Sequence, residues 1–217
     1  MVGTGLLLAN RSATAAETLA PSAATDGLLD VFKNRRSVRH FKPDTVPEAD
    51  IRRILDAARS APTSGNQQPW KFLVVRDPAK IAAMREGCVD SLLGALDPKQ
   101  PPTPDQLKER AALSKRIDGY FSAPVQIVVL TDNQSIYASY NHWDGPLAAG
   151  YLMLAARALG YGTVFVTDAI PEAVTRRVLN IPERFTRVCI TPLGVPVSWP
   201  ASPTKKPLEE FIAMETL

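Results

Sequence analysis

The chain has 217 residues, 45% hydrophobic and 22% charged, with a net charge of +3. That is enough chain for one domain with a proper core and too apolar a composition for a disordered one. The charge is too small, and too scattered, to argue for nucleic acid as a partner.

Residues 1–25 are rich in Ala, Ser and Thr. Gly5-Leu6-Leu7-Leu8-Ala9 followed by Ala13-Thr14-Ala15-Ala16 resembles the end of a signal peptide's apolar region and its small-residue cleavage site, without the basic start. The segment is read as a disordered tail or a signal remnant. The expected location is cytoplasmic, or periplasmic if a signal once stood there. No stretch approaches the ~18 apolar residues a membrane span needs, so no membrane partner is expected.

Residues 26–217 read as one domain with a C-terminal arm. A helix is expected over 27–34, with Asp26 as its N-cap, and another over 47–60. In the second, Ile51, Ile54, Leu55 and Ala58 share one face while Arg52, Arg53, Asp56 and Arg59 fall mostly on the other. A strand over 71–76 and a helix over 78–88 follow. Residues 97–104 hold four prolines and break regular structure, before a helix over 105–118 and a β-branched strand over 125–131. The segment 144–159 reads as a helix with almost no polar face, hence buried, with Asp144 capping it and Gly160 closing it. A short strand over 164–167, a helix over 171–179 and a strand over 187–195 complete the set. A Pro-rich arm then runs to Phe211-Ile212, read as a short apolar strand. There is no internal repeat, no dividing linker and no strict β-α alternation. The fold class is α+β, with helices packed on a mostly antiparallel sheet.

Four segments could carry chemistry. Arg35, Arg36, Ser37 and Arg39 set three guanidiniums and a hydroxyl within residues 35–39. Guanidinium forks suit a phosphate, although a solvated basic turn would look the same. Residues 62–70, Pro62-Thr63-Ser64-Gly65-Asn66-Gln67-Gln68-Pro69-Trp70, place neutral donors and acceptors on a turn that Gly65 allows and Trp70 anchors in the core. Such a turn suits the rim of a heteroaromatic ring, or it is an ordinary loop. Residues 159–168 hold Gly160 and Gly162 after a helix, not the G-x-G-x-x-G that opens a dinucleotide-binding unit; the backbone at Thr167 and Asp168 is left available to a ligand. Lys205-Lys206 near the C-terminus would by itself be only solvated surface. His142-Trp143-Asp144 reads as the start of the long helix, and no catalytic triad, phosphate-binding P-loop or metal cluster is present.

These four segments, in this order, resemble the FMN-dependent nitroreductase family over roughly residues 28–212. The resemblance implies an intertwined homodimer that binds FMN, takes electrons from NAD(P)H and reduces nitro compounds, quinones or another conjugated small molecule by a ping-pong mechanism. It implies that Arg35, Arg36 and Ser37 contact the phosphate and ribityl chain, and that Arg39 reaches toward flavin N1 and O2. It further implies that Pro62, Thr63 and Ser64 cover the flavin of the other subunit, that Asn66 also belongs to the cofactor-binding set, and that Lys205 adds a phosphate contact. Backbone donors at Thr167-Asp168 stand where many members carry Gly-Gly or Glu-Gly. Lysine at 205 keeps charge but not bidentate geometry. The cover over the flavin is expected in 97–118, where Lys99, Lys108, Arg110, Lys115 and Arg116 could hold a carboxylate. Alternatives are a flavin-dependent reductive dehalogenase or a flavin-fragmenting enzyme of the same fold, and, from another class, a non-catalytic flavin-binding protein.

Overall fold

The computed structural model describes residues 23–216; most of the expected N-terminal tail, residues 1–22, lies outside them. The described residues form α1 (Ala23–Asn34), α2 (Glu48–Ala58), β1 (Trp70–Val75), α3 (Pro78–Leu93), α4 (Pro104–Ile117), β2 (Val125–Asp132), α5 (Asn141–Ala158), β3 (Gly162–Thr163), α6 (Glu172–Leu179) and β4 (Phe185–Gly194). The four strands make one antiparallel sheet in the order β1-β2-β4-β3, so the expected α+β class holds.

β2 sits at the centre, and this explains its composition. A strand covered on both faces loses polar alternation and becomes a continuous apolar run. On one face Val128 and Leu130 meet Ile81, Met84 and Cys88 of α3, Leu113 and Ile117 of α4, and Val174 of α6. On the other, Val125, Ile127 and Val129 meet Ile51, Ile54 and Ala58 of α2, and Ala149, Leu152 and Ala156 of α5. A register shift between Val129 and Leu130 marks a bulge against β4.

Helix starts follow local chemistry. Asp77 accepts a hydrogen bond from the Ala79 N–H and places Pro78 in the first turn of α3. Thr103 and Gln106 form a reciprocal capping box on α4. α5 closes as the sequence predicts. Gly160 takes a φ of +85°, the Gly160 N–H donates to Arg157 C=O and the Tyr161 N–H to Ala156 C=O. These are the two bonds of a Schellman motif.

Several expectations change. α1 begins at Ala23, so Asp26 lies in its first turn and is not its cap. α3 runs to Leu93 rather than residue 88, because Arg110 of α4 bridges Glu86 and Asp90 and donates to Gly94 C=O at 2.9 Å, rewarding the extra turns. The strand expected at 164–167 is displaced to Gly162–Thr163, with one further bridge at Val166–Ile190. There the Thr163 carbonyl is taken by the Val38 N–H at 2.9 Å. Residues Leu208–Phe211 form a 3-10 turn rather than a strand. Finally, α5 buries one side only. Ala148, Ala149, Leu152 and Ala156 are covered, while Trp143, Leu147 and Tyr151 stand exposed.

Candidate active site

The arginine segment is extended and held on both sides. The Val38 N–H donates to Thr163 C=O, the Lys42 N–H to Val195 C=O at 2.8 Å, and the Val197 N–H to His40 C=O at 3.1 Å. Val38 and Phe41 turn inward against Ala123. Gly162 makes this approach possible, since a Cβ there would lie 2.8 Å from Val38 and 2.9 Å from Pro196. With Val38 buried, its neighbours face outward.

The result is a cleft of about 500 Å³ lined by Lys33, Arg35, Arg36, Ser37, Arg39 and Lys205, with Phe32 and residues 200–203. It unites the N-terminal arginine cluster with the C-terminal lysine, across 165 or more positions of sequence, and no carboxylate lines it. Lys33 and Phe32 were not singled out by sequence. Lys33 could have been, as the last-turn cation of α1. The cations are not equivalent. Arg36 donates to Lys33 C=O at 2.6 Å and to Arg35 C=O at 2.8 Å, so it caps the negative end of α1. Arg39 is exposed and reaches only Ser37 C=O, at 3.4 Å. Lys206 turns away to Glu210 at 3.2 Å, leaving Lys205 for the cleft.

The turn at 62–68 lies outside this cleft and is built with unusual backbone. Gly65, Asn66 and Gln68 all have positive φ, at +56°, +54° and +48°. A Cβ on Gly65 would stand 2.4 Å from the Tyr137 ring. Asp144, buried at 3% exposure, accepts from the Ser64 N–H at 3.2 Å and from Gln67 Nε2 at 2.7 Å. Gln67 Nε2 also reaches Tyr137 C=O at 3.1 Å, and Gln67 Oε1 accepts from the Tyr137 N–H at 2.7 Å. Asn141 Nδ2 donates to Asp132 C=O at 2.9 Å. Asp144 is therefore the brace of the turn and not the cap of α5, whose N-cap position is Tyr140. Trp70 is no core anchor either. It is half-buried on the outer surface, stacked on Phe72 with ring centroids 6.5 Å apart. Pro62, Thr63, Ser64 and Asn66 are left facing outward or half-exposed.

Thr167 and Asp168 form an exposed turn after β3. Their conformation is set from below by Arg187 of β4, which donates to Thr167 C=O at 3.0 Å, Ile170 C=O at 2.6 Å and Thr175 Oγ1 at 3.0 Å. Burial pushes this guanidinium's pKa down. Arg187 was missed by sequence because nothing local marks it.

Arg110, one candidate for a carboxylate clamp, is spent on Glu86, Asp90 and Gly94 and is 9% exposed. It ties α3 to α4 and is withdrawn from that role. Both cysteines are buried and free, and burial raises Cys88 to about 11 and Cys189 to about 12, so neither is a thiolate nucleophile near neutral pH. Among the described residues no cluster of His, Cys, Asp or Glu could hold a metal, and no helix is long and apolar enough to cross a membrane.

The chain matches the model of the nitroreductase family over residues 32–195. It is 31% identical to a 5,6-dimethylbenzimidazole synthase of Rhodospirillum rubrum, over 79% of this chain and 82% of that one. It is also 31% identical to an NADH dehydrogenase of Thermus thermophilus, over 82% and 91%. Among solved structures, it superposes on oxidised iodotyrosine deiodinase bound to FMN and 3-iodo-L-tyrosine with a TM-score of 0.67 and 26% identity, covering 88% of this chain and 99% of that one. The family match takes in the arginine segment and the braced polar turn, and this chain belongs to the nitroreductase family of flavoprotein oxidoreductases.

Proposed function

We propose that the chain is an FMN-dependent oxidoreductase. It takes electrons from NAD(P)H and passes them to a nitro compound, a quinone or another conjugated acceptor in alternating half-reactions at one site. The observation that carries this reading is the cleft itself: five cationic side chains, Lys33, Arg35, Arg36, Arg39 and Lys205, with no carboxylate among the lining residues. A phosphate monoester bears about −1.5 to −2 charges near neutral pH and strong acceptor oxygens, which such a cleft matches.

Bound FMN supplies two-electron transfer through its flavin ring. The chain supplies position and field. Arg35 and Lys205 would hold the phosphate, and Ser37 would donate its hydroxyl to the phosphate or ribityl chain. Arg36 keeps the cleft in shape by capping α1. Arg39, exposed and only weakly bonded within the chain, would offset negative charge at the N1–O2 edge. The backbone N–H groups of Thr167 and Asp168 donate to no other group among the described residues and would face the N5–O4 edge. Pro62, Thr63, Ser64 and Asn66 lie outside the cleft and would cover the flavin of a partner copy, which makes the functional unit a homodimer.

A second reading, reductive dehalogenation or flavin fragmentation, is favoured by the likeness to a deiodinase and a dimethylbenzimidazole synthase. It would need a clamp for its own substrate, and Lys99, Lys108, Lys115 and Arg116 remain for that after Arg110 is withdrawn.

The test is an absorbance spectrum of purified protein followed by anaerobic addition of NADH and then NADPH. A flavin spectrum that bleaches with one of them, and FMN on chromatography of the released cofactor, is expected. Recovered FAD, or a spectrum unchanged by either nucleotide, overturns the reading.

A further inference from the structure

The outer wall of the cleft is loosely tied to the body. Pro200, Ala201, Ser202, Pro203 and Lys205 form it, and all are exposed. The last backbone bond from this segment to the body is the Val197 N–H to His40 C=O, at 3.1 Å. Beyond it, the bonds among the described residues stay within the arm. Lys206 pairs with Glu210 at 3.2 Å, the Glu210 N–H donates to Pro207 C=O at 3.2 Å and the Thr216 N–H to Met214 C=O at 2.7 Å.

One body side chain does reach the arm. The guanidinium of Arg157, in the last turn of α5, lies over the Trp199 ring with its carbon 3.8 Å from the ring centroid. Trp199 immediately precedes Pro200. Proline fixes φ and restricts the residue before it, so the direction of the wall is inherited from the orientation of Trp199. A planar guanidinium stacks on an indole with orientation as well as attraction, which an ammonium does with less geometry.

We propose that Arg157 is a positioning residue of the phosphate cleft. Its stack on Trp199 sets the wall that carries Lys205 toward the anion. The proposal rests on the FMN reading above, and it assigns Arg157 no contact with the cofactor. A cation in the last turn of α5 also suits the helix dipole, so the test must separate that structural role from positioning.

FMN and riboflavin are titrated into flavin-free full-length protein, followed by quenching of flavin fluorescence. Riboflavin lacks the phosphate and so does not read the wall. R157Q is expected to weaken FMN roughly tenfold and to leave riboflavin within about twofold. R157K, which keeps the charge and part of the stack, recovers most of the FMN affinity. W199L matches R157Q, and the double variant is no worse than either single one, because both remove the same contact. Unchanged FMN affinity in R157Q overturns the proposal. So does a parallel loss of riboflavin, which would mean that Arg157 acts on the fold or assembly. If the wild type binds FMN no tighter than riboflavin, the cleft does not hold the phosphate, and the FMN assignment fails together with the inference built on it.

Discussion

Arg35 and Arg39 stand four positions apart on one extended segment, yet different work is expected of them. A phosphate carries its charge whether the flavin is oxidised or reduced, whereas charge at the N1–O2 edge develops only on reduction. Arg39→Ala should therefore slow reduction of FMN-saturated protein more than Arg35→Ala. The loss should be on the order of 2–4 kcal/mol, the usual cost of removing one preorganised partner of developing charge. Arg35→Ala should show mainly as weaker FMN binding. Anaerobic stopped-flow reduction at saturating FMN checks this, and equal rates for wild type and Arg39→Ala would contradict the assignment. The arginines were legible in the sequence because their density within residues 35–39 is visible locally. Arg187 and Asp144 were not. Arg187 bonds to Thr167, twenty positions away, and Asp144 to Gln67, seventy-seven positions away, so their roles exist only once the sheet has formed.

The turn over residues 62–68 shows how an element can be locally strained and globally secure. Residues in the left-handed region cost of order 1–3 kcal/mol and persist only where the surroundings over-determine them. Here the surroundings are Asp144, Gln67 and the Tyr137 ring packed on Gly65. Gly65→Ala meets both penalties at once: a φ of +56° and a Cβ 2.4 Å from Tyr137. It should cost about 1–3 kcal/mol, seen as a fall of roughly 2–12 °C in Tm for a domain of this size, and it should displace the turn that the partner's cofactor is proposed to need. A thermal melt unchanged by Gly65→Ala would show that the turn is not held in this conformation. Sequence placed this turn, as it placed most helices, because Gly, Pro and capping residues act within a few positions. It misplaced elements where distant groups decide. α3 gains turns from Arg110, β3 gives up its carbonyl at Thr163 to Val38, and Trp70 finds Phe72 on the surface rather than a place in the core.

At the scale of the whole molecule, the sequence of α5 reads as a helix covered all round, while a single chain covers half of it. Trp143, Leu147 and Tyr151 remain exposed on α5, as do Leu28, Leu29 and Phe32 on α1, the helix packed beside it. Leu208, Phe211, Ile212 and Met214 are exposed along the arm. Apolar surface on this scale marks an interaction site rather than ordinary scatter. In the proposed homodimer a second copy covers it, and the same copy brings its Pro62–Asn66 turn, which lies outside the cleft of its own chain, to the partner's cofactor. Obligate interfaces bury more than about 2,000 Å² and resemble a divided core, so flavin binding and dimerisation should be thermodynamically linked. Deleting residues from Ser198 onward should weaken both together, read by sedimentation and FMN titration on the same samples. That deletion also removes Trp199, Lys205 and the rest of the cleft wall, so Lys205→Ala is the needed companion: it should weaken FMN while leaving the flavin-free dimer intact. A monomer in the deletion and a dimer in Lys205→Ala, both measured without flavin, would then separate the arm's part in assembly from its part in the cleft wall. A truncated chain that is monomeric and still binds FMN as tightly as the full chain would place the whole site within one copy, and the dimeric architecture would be wrong.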